Sequence, residues 1–95
     1  MISFNNPKDT SYQIAERVKQ TRLAENFSRK SLALKSGVTE ASIKRFETTG
    51  EIALLSLLKL AYALGCMQEF DKVFAPKEAI SIQAISKKQR ARGRG

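Results

Sequence analysis

The chain has 95 residues, a formal net charge of +8 and 42% hydrophobic residues, which suits one folded domain and a tail. Its basic excess favours a polyanionic partner, either a nucleic acid or an anionic surface. Because the chain has no histidine and a single cysteine, a disulfide framework and a Cys/His zinc site are excluded. The sequence also has no Gly-rich phosphate loop and no nucleophile paired with a base. We therefore expect no enzyme, metal site or cofactor.

The first predicted element is an irregular lead over residues 1–10, because Pro7 follows two asparagines and such a run usually breaks a helix. The lead has no basic segment followed by an apolar run, so we expect no secretory signal. Helix one is predicted to begin after Ser11, its N-cap, and to end near Asn26.

Helices two and three are each predicted from an N-cap residue. Ser28 is the expected cap of helix two over residues 29–36, and Thr39 is the expected cap of helix three over residues 40–48. Gly37 lies between the two helices and can adopt the positive φ of a tight turn at no steric cost.

The spacing around Gly37 has a mechanical interpretation. Ala33, four residues before it, lets the second helix cross close to the first, and Ile43, six residues after it, packs back into the angle between them. This is the spacing of a helix-turn-helix, whose second helix lies in the major groove of DNA.

A leucine-rich fourth helix and a short fifth helix complete the predicted domain, residues 11–75. The leucines of helix four, over about residues 53–64, exceed a single stripe, so we expect burial on most sides and a C-cap at Gly65. Helix five is predicted over residues 67–74. Neither helix reaches the roughly 20 residues that span a bilayer, and the single cysteine fits a reducing compartment, so we expect a cytoplasmic protein without membrane contact.

Basic charge is concentrated in the predicted tail, residues 76–95. Residues 75–95 carry a net charge of +5 and residues 1–74 a net charge of +3. Three interpretations stay open: a largely flexible, solvating segment, a basic arm on DNA phosphates, or a short strand around Ile80 and Ile82 that pairs across a dimer or onto a partner. The residues expected to contact phosphates or a partner are Lys87, Lys88, Arg90 and Arg92.

Residues 17–74 resemble the Cro/lambda-repressor-like (XRE-type) helix-turn-helix family. The resemblance is carried by Arg22, Leu32-Ala33, Gly37-Val38, Ile43, Phe46-Glu47 and the stretch 57–65. It implies an all-α, five-helix Cro/lambda-repressor-like helix-turn-helix domain with a basic C-terminal tail. The chain departs from the family pattern at Arg29, where Gln is frequent, and at Ala53, where Ser or Thr usually caps helix four.

Within this family the chain is most similar to the HipB-type antitoxins. These often combine a Phe-Glu-x-Thr-Gly join, here Phe46 to Gly50, with a short fifth helix and a basic tail. The resemblance implies a homodimer that binds an operator in double-stranded DNA and represses its own operon. It also implies contact with a HipA-like serine/threonine kinase toxin.

Helix three carries the residues that the resemblance places at the major groove: Glu40, Ala41 and Arg45. Arg45 can make a bidentate contact to guanine O6 and N7, worth about 1–3 kcal/mol of discrimination. Glu40 can accept from cytosine N4, and Ala41 can touch a thymine methyl group. The alternative interpretation is a solvated helix face.

A second set of residues is expected to contact the DNA backbone: Arg29, Thr39, Ser42 and Lys44. Arg22 and Glu47 fall on inward-leaning positions, where the family resemblance implies an ion pair between helices one and three. We expect this pair to be structural and to orient helix three, because removing one partner would leave a poorly compensated charge.

Dimerisation is predicted through helix five. Its apolar residues Met67, Phe70 and Phe74 are expected to contribute to the core and to form the dimer interface. A two-fold dimer would place its recognition helices one DNA turn apart, roughly 34 Å, and would bind an inverted-repeat operator.

The predicted function is therefore a sequence-specific transcriptional repressor, the HipB-like antitoxin of a toxin–antitoxin operon. Three alternatives stay open: a stand-alone phage Cro-like regulator, a protein-interaction module that mainly holds a partner toxin, and a nonspecific nucleic-acid binder driven by the basic tail. Binding that collapses with salt on every DNA sequence would favour the last.

Overall fold

The computed structural model describes residues 6–77, which form four α-helices and one short 3₁₀ helix, with no strand in this part of the chain. The helices are α1 (Pro7–Ala24), α2 (Arg29–Ser36), α3 (Glu40–Thr49) and α4 (Leu54–Ala63), followed by the 3₁₀ helix Met67–Phe70. The all-α expectation is confirmed for these residues. The interpretations of Ile80, Ile82 and the basic tail residues Lys87, Lys88, Arg90 and Arg92 lie outside the described part.

Helix α1 begins earlier than the sequence predicted. The Asn6 side chain caps it by accepting from the Asp9 N–H at 2.8 Å, and Pro7 occupies the first helical position, where its missing N–H removes no helical hydrogen bond. Residues 7–10 therefore belong to the helix, and their assignment to an irregular lead was wrong. Ser11 is not a cap but lies inside α1, where its hydroxyl donates to the Gly50 carbonyl at 2.9 Å.

Helices α2 and α3 begin and turn as the sequence predicted. The Ser28 hydroxyl accepts from the Ser31 N–H at 2.9 Å, and the Thr39 hydroxyl accepts from the Ser42 N–H at 3.1 Å. Gly37 ends α2 with φ +83°, so the turn between the two helices has the left-handed conformation that glycine adopts without strain.

The core lies where α3 packs on α1 and α2, and where α4 packs on α2. Leu32, Ile43, Phe46 and Leu60 are its fully buried large side chains. The inward position predicted for Ile43 is confirmed, because Ile43 is 1% exposed, and Phe46 is buried to the same extent. This packing holds α3 by one side and leaves its other side open.

Helix α4 is less buried than predicted. Leu54, Leu55 and Tyr62 are 67%, 64% and 79% exposed, while Leu60 is fully buried. The prediction of burial on most sides was wrong, because α2 and the short 3₁₀ helix are the main elements that pack against α4 among residues 6–77. The C-cap of α4 is Leu64, one residue before the predicted Gly65. Gly65 follows it in the left-handed region, with φ +76°, which is common just after a helix.

The predicted fifth α-helix over residues 67–74 is not found. Only Met67–Phe70 is helical, as a 3₁₀ turn, and Cys66 offers no side-chain cap to it. Phe74, with φ +61°, is fully exposed. The apolar residues here have too little to pack against, and a helix this short depends on such packing.

Two glycines with the same backbone conformation should tolerate alanine differently. Gly37 and Gly50 have φ of +83° and +81°, so Gly37→Ala and Gly50→Ala should each lose about 1 kcal/mol of unfolding free energy from backbone strain. A Cβ at Gly50 would also lie 3.2 Å from backbone atoms of Ser11 and Tyr12, whereas nothing lies within 4 Å at Gly37. We expect a further loss of about 1–3 kcal/mol for Gly50→Ala, measured by urea unfolding. Equal losses would contradict the close approach of α1 to Gly50.

Candidate nucleic-acid interface

The exposed side of α3 carries the residues that the sequence assigned to DNA. Glu40, Ala41, Lys44 and Arg45 are all exposed, and their spacing of one and four residues places them on one face of the helix. Contact with DNA stays a prediction, but the structure brings these side chains together on an unobstructed surface.

Hydroxyl groups at the start of α3 are occupied by capping. The Thr39 hydroxyl accepts from the Ser42 N–H at 3.1 Å and donates to the Ser42 hydroxyl at 2.9 Å. Both side chains are exposed, so the Ser42 hydroxyl can still donate to a phosphate oxygen. The positive end of the α3 dipole lies at the same place and favours an anion.

Arg22 and Glu47 form the predicted ion pair, and the prediction is confirmed. Arg22 Nε lies 2.7 Å from Glu47 Oε2 and Arg22 Nη2 lies 3.1 Å from Oε1, which is a bidentate contact. The two side chains are 7% and 2% exposed. Arg22 Nη1 also donates to the Phe27 carbonyl at 2.9 Å, so one guanidinium joins α1, the following turn and α3.

Arg29 has a protein partner that the sequence did not reveal. Its Nε lies 2.9 Å from Glu47 Oε1, so two guanidinium groups share one carboxylate. We call Arg22, Arg29 and Glu47 the buried ion cluster. The Arg29 side chain is 36% exposed, and a contact to phosphate, the role predicted for it, stays a prediction. No local pattern signals this contact, because Arg29 and Glu47 are 18 residues apart in the chain.

Electrostatics favour the ionised carboxylate in the buried ion cluster. Burial acts to raise the pKa of Glu47, but the hydrogen bonds and charges of Arg22 and Arg29 outweigh it, so the pKa lies below its usual value. Glu47 is therefore ionised at neutral pH and holds α3 against α1 and α2 in one orientation.

Arg45 also pairs with a residue that the sequence analysis did not single out. Its Nη2 contacts Glu51 Oε1 just beyond the end of α3, and the two side chains are 63% and 65% exposed. The predicted base-reading guanidinium therefore has an acidic neighbour on the open surface. Glu51 could have been noticed in the sequence, because it lies six residues from Arg45 across the Gly50 turn.

The three residues predicted for the dimer interface do not meet in one cavity. Phe70 lines a half-open apolar cleft of about 240 Å³ between α1 and α4, whereas Met67 lines a shallow groove between α2 and α4. Phe74 is fully exposed. Their role in association stays a prediction.

Cys66 lies half-buried at the same cleft as Phe70. Burial, and then the charges of Glu69 and Glu25, raise the pKa of its thiol above the ordinary value. The thiol is therefore protonated at neutral pH and is a poor nucleophile.

Residues 6–77 were also compared with the requirements of a metal site and of a membrane-spanning helix, and they meet neither. Within this range no three or more Cys, Asp or Glu side chains are grouped so that they could hold a metal ion, and none of its helices combines the length and apolar character needed to cross a membrane.

Comparison of the chain with protein-family models and with curated proteins found no match. The resemblance to Cro/lambda-repressor-like proteins stays a prediction from the quoted residues.

Proposed function

We propose that this protein is a dimeric, sequence-specific DNA-binding repressor that reads base edges through α3. The observation that carries the proposal is the exposed row Glu40, Ala41, Lys44 and Arg45 on a helix whose opposite side is anchored in the core. A helix presented in this way fits the major groove, and the charge of +8 favours a polyanion.

The buried ion cluster supports the same function. Recognition of bases requires that side chains be held within a fraction of an ångström by their support. Glu47 contacts arginines from both α1 and α2 at distances of 2.7 and 2.9 Å. Helix α3 is thereby fixed to the two helices behind it before any DNA arrives.

We further propose that the protein acts as a HipB-like antitoxin that binds an inverted repeat in its own operon as a homodimer and contacts a HipA-like kinase toxin. This part rests on the sequence resemblance. A stand-alone Cro-like regulator would bind DNA in the same way, and the two differ in whether a kinase partner forms a stoichiometric complex.

One observation favours a second candidate function, a module that mainly holds a partner protein. Leu54, Leu55 and Tyr62 are large apolar side chains exposed on α4. Leu55 and Tyr62 line one shallow groove between α2 and α4, and contiguous exposed apolar surface usually marks an interaction site. In this alternative, a complex with the partner would persist at high salt, where phosphate contacts collapse.

The test is DNA binding by the purified chain across a salt series. Two duplexes of equal length are compared, one from the promoter region of the encoding gene and one with the same bases scrambled. We expect a preference for the promoter duplex that persists at about 0.15 M salt. Equal and salt-sensitive binding to both duplexes would contradict the proposal and favour binding by charge alone. A variant without residues 86–95 should retain the preference with weaker affinity.

A further inference from the structure

The Arg45–Glu51 ion pair lies on the open surface near the end of α3, where it is accessible to a ligand. Its side chains are 63% and 65% exposed, and exposed pairs contribute little to stability. The Arg22–Glu47 pair is 7% and 2% exposed, so the two pairs at this helix differ in burial and in how much each can affect stability.

Backbone contacts hold Glu51 in place beside Arg45. The Glu51 N–H donates to the Thr49 hydroxyl at 3.1 Å, and the same hydroxyl donates to the Arg45 carbonyl at 2.8 Å. The preceding Gly50 carbonyl accepts from the Ser11 hydroxyl at 2.9 Å. The backbone at Glu51 is therefore held by α1 and by the last turn of α3, so side-chain freedom is the main entropy that is lost when its carboxylate meets the guanidinium.

Other carboxylates near α3 are placed differently. Glu47 points into the buried ion cluster, and Glu40 has no ion-pair partner among residues 6–77. Within this part of the chain, Glu51 is the carboxylate that faces a predicted base-reading side chain.

We propose that Glu51 is a specificity-determining residue of the α3 surface, which holds the Arg45 guanidinium away from DNA phosphates and releases it to a base edge that offers two acceptors. This inference rests on the proposed function. Arg45 gains little by exchanging the Glu51 carboxylate for a phosphate oxygen, because both partners are anions. The Glu51 carboxylate also repels the phosphate. Guanine O6 and N7 accept two hydrogen bonds from one guanidinium and can replace the carboxylate.

Glu51 therefore lowers nonspecific affinity more than operator affinity. Without its carboxylate, Arg45 becomes one more phosphate-binding cation on every DNA sequence. Each added phosphate contact steepens the dependence of log affinity on log salt by about 0.9, which gives a readout that a structural role for Glu51 would not change.

The experiment is a double-mutant cycle on the full chain. Wild type, Glu51→Gln, Arg45→Ala and the double variant are titrated with the promoter duplex and the scrambled duplex across a salt series. We expect Glu51→Gln to raise affinity for the scrambled duplex about fivefold at about 0.1 M salt, to steepen its salt slope by about 1, and to raise affinity for the promoter duplex less. With Ala at position 45 the gain should fall below about twofold.

Two controls separate this effect from general charge and from folding. Glu16→Gln makes the same charge change on the exposed side of α1 and should change affinity by less than about twofold. The thermal midpoints of wild type and Glu51→Gln should agree within a few degrees, because an exposed substitution is nearly neutral.

The possible outcomes separate the inference from the proposed function. A gain that is the same with Arg45 or Ala at position 45 overturns the inference, and a promoter preference in the wild type still supports the proposed function. If the wild type shows no preference for the promoter duplex, the proposed function is overturned. An Arg45-dependent gain in affinity for the scrambled duplex would still support the inference that Glu51 keeps Arg45 away from DNA phosphates. Absence of DNA binding by every variant overturns both.

Discussion

Replacing Glu47 with alanine is expected to lower the free energy of unfolding by about 3–5 kcal/mol. The variant would leave the Arg22 guanidinium, in a residue only 5% exposed, with the Phe27 carbonyl as its remaining hydrogen-bond acceptor. An uncompensated buried charge destabilises more than the intact pair stabilises. The measurement is urea unfolding followed by far-ultraviolet circular dichroism.

The chain contains a matched control for this substitution. Glu51→Ala removes the same side chain from another ion pair with arginine, but this pair is exposed on both sides. We expect a change within about 0.5 kcal/mol. Similar losses of unfolding free energy in the two variants would show that burial does not make the Glu47 ion pairs more important for stability than the exposed Arg45–Glu51 pair.

Acidification tests the same carboxylate without removing it. The pKa of Glu47 is lower in the folded chain than its ordinary value of 4.5, so the unfolded state binds more protons between the two values and stability decreases there as the pH decreases. The Glu47 contribution is complete above about pH 4.5 and is lost as the pH drops through the folded-state pKa. The stability difference between wild type and Glu47→Gln should therefore shrink from about pH 6 to about pH 3. A difference that stays constant over this range would contradict the lowered pKa.

Features that depend on neighbouring residues in the chain were predicted well. Ser28 and Thr39 cap their helices through short-range chemistry, because each hydroxyl accepts from the N–H three residues later. The turn at Gly37 is also local, because glycine adopts positive φ without strain. The start of α1 was missed for a related reason. Pro7 can end a helix or begin one, and Asn6 decides between them by capping the N–H of Asp9.

Features that depend on which helices approach each other were predicted less well. The Arg22–Glu47 pair came from the family resemblance, but the second arginine at Glu47 is set by a tertiary distance between α2 and α3 that no local pattern encodes. The Arg45–Glu51 pair spans only six residues and was overlooked. The exposure of Leu54 and Tyr62 is again set by tertiary packing. An apolar surplus in α4 predicts burial, but the described domain has too few elements to cover it.

Arg45→Ala is expected to reduce the preference for the promoter duplex over the scrambled duplex by about 5-fold to 150-fold, which corresponds to about 1–3 kcal/mol. The loss should fall mainly on the promoter duplex, because the proposed bidentate contact to guanine would be made there and a phosphate contact is not equivalent to it. The fold should be preserved, since the Arg45 side chain is 63% exposed and its partner Glu51 is equally exposed.

Lys44→Ala provides the comparison that makes this result informative. Lys44 is the adjacent residue, is exposed and has no ion-pair partner among residues 6–77. Since it is assigned to the DNA backbone, its loss should weaken both duplexes by similar factors and make the salt slope shallower by about 1. A promoter preference that is unchanged in Arg45→Ala but reduced in Lys44→Ala would move base reading to the face of α3 around Lys44. A preference unchanged in both variants would contradict base reading by this face of α3 and would place the source of the preference elsewhere in the protein, because binding by charge alone gives no sequence preference.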